Sequence, residues 1–438
     1  MSVFACAFLV LALIMLGMGI PFAFLAASLA FALTTGLSTG NWGSTAWYSL
    51  ESFSLLAVPL FMFACTRMER TGIARALMEL AEKITGKGKK GGGLCNVIPV
   101  FSALFGALCG SGLATASTVS SMIGPTLEKK GYKKSLIYSL AAASCPLGYM
   151  IPPNMNAVIY AKVANASVAD LFIATMPTAI VWLAAYLVIN HFLVPKYYDP
   201  ALDSGEDGEE AMTAMQKRAA NLALIKSLIP ALLMPVIILG GIYGGIFTAT
   251  EAGAVGCLYG IIVGLLVFRS LKLRDVFDIA SKTAISLGTM MITFPFTMIF
   301  TRIMVTNGVP QMITNFITGV VPNKYIIILM ITVVLFIAGF FLDGNIILLV
   351  ITPLLLPTAQ SLNMSTIQYG VLVFVALGVA GITPPMAVPL FTCARIGGTT
   401  VEEMMKPLLA YLIIVCVPIL LLVAYVPVVS DFLPALLR

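Results

Sequence analysis

The sequence predicts an all-α integral membrane protein built as an inverted-topology repeat, each half carrying one re-entrant helical hairpin and one discontinuous helix. Three observations lead there. The 438 residues are 60% hydrophobic and 10% charged, with mean hydropathy +1.02, far from the balance of a water-soluble domain. Apolar runs of spanning length recur without strand-like alternation, so helices must satisfy the backbone inside lipid. Finally, Gly112, Pro125-Thr126 and Pro152-Pro153 recur as Gly344, Pro357-Thr358 and Pro384-Pro385, each 232 positions later.

The first run, Val3 to Thr34, has no basic segment before it and continues too long for a cleaved signal, which predicts a first spanning helix. Further runs cover Phe53–Thr66, Leu136–Ala161, Leu171–Leu193, Leu228–Ile246, Ala252–Phe268, Ile285–Phe300, Ile326–Val350, Tyr369–Cys393 and Leu408–Val429. Eight cysteines are scattered through these runs without metal-ligand spacing and read as ordinary buried thiols. Lys and Arg cluster at Arg67–Lys90, Lys129–Lys134, Lys196–Lys226 and Arg269–Lys282, with Arg395 and Lys406 near the end. The positive-inside rule assigns all of them to the cytoplasm. With the N-terminus inside, that holds only if two apolar segments do not cross.

Those two segments are the predicted hairpins. Residues 91–128 hold LCGSGLATASTVSS between two strongly basic flanks, so both ends belong in the cytoplasm and the small residues fall at the tip. Residues 325–359 have only Lys324 beside them, as a hairpin entering from the outer face would. Non-helical backbone at membrane depth persists only where protein buries it or a wet cavity faces it, which makes each tip a candidate site.

The repeat organises the rest. Val58–Gly72 resembles Phe294–Gly308, with Thr66-Arg67 matching Thr301-Arg302, and an odd number of spans separates the copies, so they point in opposite directions, the plan of secondary transporters. The first half covers 1–195 and the second 226–438, joined by a cytoplasmic connector, 196–225, with a short surface helix. Amphipathic stretches at 72–86 and 309–319 precede their hairpins as arm helices along the interfaces. Broken helices are expected at 135–165 and 366–396, because the double prolines remove donors and clash with the preceding turn. A break frees carbonyls suited to a cation and N–H groups suited to a carboxylate. A kink that serves packing alone would look the same in sequence.

Few side chains carry chemistry. No His-Glu-x-x-His, Walker loop or Gly-x-Ser-x-Gly is present, so hydrolytic and ATP-driven mechanisms lack parts. His191, the single histidine, reads as an interfacial residue at a span's end. Gly110, Ser111, Gly112, Thr115 and Ser117 offer the neutral oxygens that suit a hard monovalent cation; close packing through the Gly106–Gly110 pair would use the same residues. Asp343 places a carboxylate within an apolar hairpin, costly unless it is paired, protonated or wet; a helix N-cap is the plainer reading. Asn154, Asn156 and Thr383 lie at the breaks and can add ligands. Thr248-Ala-Thr-Glu251 has the pattern of a capping box, with ion or substrate coupling as the alternative for Glu251.

The stretches GSGLATASTVSSMIGPTLEKKGY, IPPNMNAVIYAKVANASVADLFIA, GGIYGGIFTATEAGAV and ITPPMAVPLFTCARIGGTTVEEM, in this order, resemble the large membrane subunit of tripartite ATP-independent periplasmic (TRAP) transporters. One position departs: the family usually has proline where Ala249 stands. The resemblance implies a bacterial inner-membrane, elevator-type carrier of the ion transporter superfamily plan. A scaffold of outer helices would hold a transport domain of the hairpins and broken helices. It implies Na⁺ coupling, a small four-helix membrane subunit, a periplasmic binding protein, and a small carboxylate substrate such as a C4-dicarboxylate or sialic acid. Carried onto this sequence, the sodium sites fall to Ser111 and Gly112 with the Pro152 break and to Gly344 with the Pro384 break, and Asp343 falls near substrate or ion. Beside these positions, Thr115, Asn154, Asn345 and Thr383 are added as sodium ligands, and Ser111 and Asn156 join Asp343 as candidate substrate contacts. A stand-alone Na⁺-coupled anion carrier of the same architecture is the alternative, and an ion channel a more distant one.

Overall fold

Glycine and proline decide where this apolar chain leaves the helix. The computed structural model describes residues 2–70, 73–85, 93–203, 214–268, 272–385 and 387–437. The ends of the first arm at 72 and 86, the start of the first hairpin at 91–92, the acidic middle of the connector at 204–213 and Arg269 lie outside the described residues. Gly17, at φ +86°, splits the N-terminal run into α1 (Val3–Met15) and α2 (Ile20–Thr35), which pack on each other. The single first span expected over Val3–Thr34 is thus two shorter helices, since a left-handed glycine ends a helix that composition alone would continue.

Next come α3 (Trp42–Leu50) and α4 (Ala57–Arg70), bent by 53° around Ser54, and the arm helix α5 (Ile73–Thr85). On α5, Ile73, Ala74, Ala76, Leu77 and Ala81 are buried, one apolar face at helical spacing. The first hairpin is α6 (Val97–Cys109) and α7 (Gly112–Met122), which pack together and lead through α8 (Gly124–Lys129) into β1 (Lys130–Tyr132). The first broken helix comprises α9 (Lys134–Ala143), α10 (Leu147–Met150) and α11 (Met155–Ala164), bent by 52°. After α12 (Val168–Leu193), β2 (Tyr198–Asp203) pairs antiparallel with β1, Tyr132 opposite Tyr198. This ribbon corrects the all-helical expectation: the three residues of β1 are too few for alternation to register in sequence.

The second half opens with α13 (Ala214–Tyr243), which runs without interruption through the connector's end. The expected separate surface helix is the first part of this long helix, because Pro230 and Pro235 lie in its interior without ending it. It continues with α14 (Ala249–Ile262), α15 (Leu273–Met291), α16 (Thr293–Thr306) and the arm α17 (Val309–Val320). The second hairpin has α18 (Lys324–Phe341) as one arm and α19 (Gly344–Ile346), a π-helical turn at Ile347–Ile351, and α20 (Thr352–Ser361) as the other. The second broken helix is α21 (Thr366–Gly381) and α22 (Val388–Gly397), followed by α23 (Val401–Tyr411), a π turn at Leu412–Cys416, α24 (Val417–Tyr425) and α25 (Val428–Leu436). Among the described residues, six helices are long and apolar enough to cross a membrane, or eight if each bent pair is one span.

Packing is reciprocal between the halves. The first arm of each hairpin lies on the first part of its own broken helix, α6 on α10 and α18 on α21. The second arm of each lies on the second part of the other half's broken helix, α7 on α22 and α20 on α11. Lipid supplies little hydrophobic drive between helices, so side-chain hydrogen bonds and close packing must hold this assembly together. Tyr411 donates to Asn190 Oδ1 at 2.7 Å and Asn190 Nδ2 donates to Asn96 Oδ1 at 2.9 Å, joining the base of the first hairpin to α12 and α23. Gln368 Nε2 donates to Val423 O at 3.0 Å, which fixes α21 on α24. Among the described residues, Cys6, Cys95, Cys145, Cys257, Cys393 and Cys416 are buried as expected, whereas Cys109 is disulfide-bonded, a bridge that spacing along the chain does not announce.

Candidate functional site

The first tip owes its shape to three glycines. Gly110 closes α6 at φ +60°, and a Cβ there would stand 2.2 Å from Pro153 O. A Cβ on Gly112 would meet the Tyr149 ring at 2.3 Å and Cys145 Sγ at 2.6 Å; one on Gly148 would meet Thr115 Oγ1 at 2.5 Å. Only hydrogen at these positions lets the tip rest directly on the break between α10 and α11. Ser111, extended at φ −129°, caps α7, its Oγ accepting from Ala114 N at 3.4 Å, while Thr115 Oγ1 donates to Ser111 O at 2.8 Å. Thr115, Pro152 and Asn154 are buried and Ser111 is half-buried. The structure therefore brings Ser111, Gly112, Thr115 and the Pro152–Asn154 break together, with carbonyl and hydroxyl oxygens the prevailing chemistry.

Asn154 has a more particular role than its position suggests. Its Oδ1 accepts from Ala157 N at 2.8 Å as the cap of α11, which fixes the amide orientation, and its wholly buried Nδ2 has no partner among the described residues. An unpaired buried donor costs roughly 1–3 kcal/mol. It suits an oxygen acceptor, not a cation, so only the remaining lone pair of Oδ1 could serve a metal ion.

The second tip is looser. Asp343 caps α19, its Oδ2 accepting from Asn345 N at 3.1 Å and from Asn345 Nδ2 at 2.9 Å, and its side chain is exposed in this chain. A Cβ on Gly344 would meet Leu377 at 3.8 Å, ordinary contact, whereas one on Gly339 would meet Ala380 Cβ at 2.2 Å. The second hairpin thus presses on the last turns of α21, before Thr383 and Pro384. Thr383 Oγ1 donates to Val379 O at 2.7 Å. Asn156 is half-buried on α11, the helix that packs on the second hairpin, one step away from the first tip. Both Pro152–Pro153 and Pro384–Pro385 bonds are cis.

Tyr149 was missed in the sequence. Besides its contact with Gly112, its hydroxyl would lie 3.2 Å from a Cβ on Gly378 and 3.9 Å from one on Gly381, and Pro146 would lie 2.9 Å from the former. In the register of the repeat, Pro146 corresponds to Gly378 and Tyr149 to Gly381. Each bulky residue of the first half rests on glycine in the second, and that inequality at matched positions was the available signal.

Two other candidates resolve simply. Glu251 Oε2 accepts from Thr248 N and Oγ1, both at 2.8 Å, with Glu251 N returning to Thr248 Oγ1 at 3.3 Å, a complete capping box. Ala249 occupies the first helical position, where proline is also well tolerated, which accounts for the departure there. His191 is exposed near the end of α12, its ring 5.2 Å from that of Phe192.

A family model described as the DctM component of the tripartite ATP-independent periplasmic transporter matches residues 6–429. The chain is 30% identical over 390 residues to a C4-dicarboxylate TRAP transporter large permease protein, DctM, of Pseudomonas aeruginosa, covering 88% of this chain and 87% of that one. It is 28% identical over 423 residues to the sialic acid TRAP transporter large permease protein SiaM of Vibrio cholerae, covering 96% and 95%. The solved structure of the Alcanivorax borkumensis YdaH transporter shares the fold with a TM-score of 0.57 at 14% identity, over 90% of this chain and 88% of that one. Agreement over nearly the full length bears out the resemblance drawn from the hairpin and double-proline motifs: this chain belongs to the DctM family of TRAP transporter membrane components and is a multi-pass inner-membrane protein.

Proposed function

We propose that the chain is the large membrane subunit of a Na⁺-coupled, elevator-type carrier of a small carboxylate, acting with a small membrane subunit and a periplasmic binding protein. The observation that carries this reading is the backbone contact between the first tip and the first break, Gly110 against Pro153, which gathers oxygens from two elements at one point. The reciprocal packing of hairpins on broken helices favours an inverted repeat in which a second site answers the first. Relatives named for C4-dicarboxylates and sialic acid make a small organic acid the substrate class.

In this reading one Na⁺ takes oxygens from Ser111, Gly112, Thr115, Pro152 and Asn154, and another from Gly344, Asn345, Thr383 and Pro384. Substrate lies between them, near Ser111, Asp343 and Asn156, and the unpaired Asn154 Nδ2 supplies a donor for its carboxylate. The neutral oxygen set at the first tip fits a hard monovalent ion. Binding of Na⁺ beside an acid also offsets charge that would otherwise be costly to carry through lipid.

The test is uptake into proteoliposomes containing the chain with both partners, with succinate and sialic acid as labelled probes and an imposed Na⁺ gradient. Uptake that needs both partners and inward Na⁺ is expected. Na⁺-dependent uptake by the chain alone would identify a stand-alone carrier, and ion current without coupling a channel. Ser111→Ala removes one neutral ligand, worth about 1 kcal/mol, and should raise the half-saturating Na⁺ concentration about fivefold. An unchanged value would leave Ser111 with packing and capping only. Glu251→Gln, which still accepts from Thr248, should leave that Na⁺ dependence within about twofold of the parent, as its role is local; a larger shift would return Glu251 to the coupling machinery.

A further inference from the structure

Away from the hairpin tips, a cavity of about 640 Å³ opens where three spanning segments end together, at the start of α9, the start of α23 and the residues just after α12. Lys133, Lys134, Lys406, Tyr197, Glu128 and Glu403 contribute to its wall. Glu128 and Lys134 offset each other. Glu128 accepts from Tyr138 at 2.6 Å and pairs with Lys134 at 3.5 Å, while Lys134 also donates to Gly397 O at 3.1 Å. Glu403 accepts from Thr399 Oγ1. Among the described residues, Lys133 and Lys406 have no acidic partner and the Tyr197 hydroxyl has no hydrogen bond. Glu403 keeps its charge, since a neutral hydroxyl does not offset a carboxylate, so three lysines against two glutamates leave the wall one net positive charge, on the face that the basic clusters assign to the cytoplasm.

A second depression, about 370 Å³, lies along the same pair of segments. It is apolar, lined by Val188 and Phe192 of α12 and by Ile414 and Val415 of the π turn after α23, among others. Val415 stands eight residues beyond Pro407, a wall residue of the basic cavity, which at helical rise is about 12 Å deeper into the membrane. A basic cup at the interface with an apolar groove below it, on one helix seam, has the polarity of a phospholipid: an anionic headgroup above, an acyl chain beneath.

We infer that this seam binds an anionic phospholipid of the cytoplasmic leaflet, its phosphate between Lys133 and Lys406 and one acyl chain in the groove formed by α12 and the Leu412–Cys416 turn. The site is independent of the transport reading above. One net positive charge near the surface favours an anionic headgroup over a zwitterionic one by about 1 kcal/mol, a preference of about fivefold. The headgroup alone lacks the groove and binds weakly.

The full chain, purified in detergent, is mixed with equimolar dioleoylphosphatidylglycerol and dioleoylphosphatidylcholine and its bound lipid counted by native mass spectrometry. Phosphatidylglycerol retained about fivefold over phosphatidylcholine is the expected result, and the double variant Lys133→Gln, Lys406→Gln, whose wall carries net negative charge, should lower that ratio to about one or below. The double Lys→Arg variant should keep it, which separates lost charge from lost structure. Equal retention of the two lipids, or an undiminished ratio in the Gln variant, would overturn the assignment. So would displacement of the lipid by millimolar inorganic phosphate or glycerophosphate, which would mark a free-anion site instead.

Discussion

Replacing Gly110 by alanine should abolish uptake and lower the thermal midpoint of the purified protein. Two costs combine. Alanine in the left-handed region at φ +60° loses about 1–2 kcal/mol relative to glycine. The new methyl would then stand 2.2 Å from Pro153 O, a backbone atom that no side-chain rotation can move, and relieving such overpacking costs a further 1–3 kcal/mol, roughly. Relaxation that draws the tip away from the break separates the oxygens assigned to Na⁺. Gly245 provides the control: its φ is +67°, yet a Cβ there meets nothing within 4 Å. Gly245→Ala should show the conformational cost alone and retain uptake. If the two variants behave alike, the close approach at Gly110 has no functional weight.

Much of this architecture was legible because its markers are residues that leave little choice. The double prolines announced both breaks, since two adjacent residues without amide donors interrupt the helix, and they recur at a constant register of 232 residues. Charge is what suggested the first hairpin, since basic flanks on both sides of residues 91–128 would not lie on opposite faces, and the structure folds 97–122 back on itself as α6 and α7. What escaped was set by contacts across the chain. Tyr149 reads as one more aromatic in an apolar run, and only its approach to Gly112, Gly378 and Gly381 gives it a place between the two halves. Asn154 stands at its break with no sign in sequence that its Oδ1 caps α11 while its Nδ2 has no partner among the described residues. At the second tip the structure gives Gly344 room and places the tight approach at Gly339, where Ala380 of α21 meets the hairpin, a contact no sequence pattern marks.

Asp343 separates two explanations that predict opposite results for one substitution. As a cap, its carboxylate needs only an oxygen that accepts from Asn345 N, and asparagine provides one at the same reach. As a charge beside Na⁺ or substrate, it needs its negative charge, which asparagine lacks. The side chain is exposed within this chain, so Asp343→Asn should fold and assemble as the parent does. If the charge acts on the transported species, Asp343→Asn should lower uptake by about tenfold to a hundredfold, the value of a charged hydrogen-bonding group, with Asp343→Ala no worse by more than the small cost of the cap. A cap-only role reverses the order: the Asn variant transports like the parent, and the Ala variant loses about 1 kcal/mol of local stability. Uptake and thermal midpoints measured on both variants decide the matter, and parental uptake by Asp343→Asn would remove the carboxylate from the transport site.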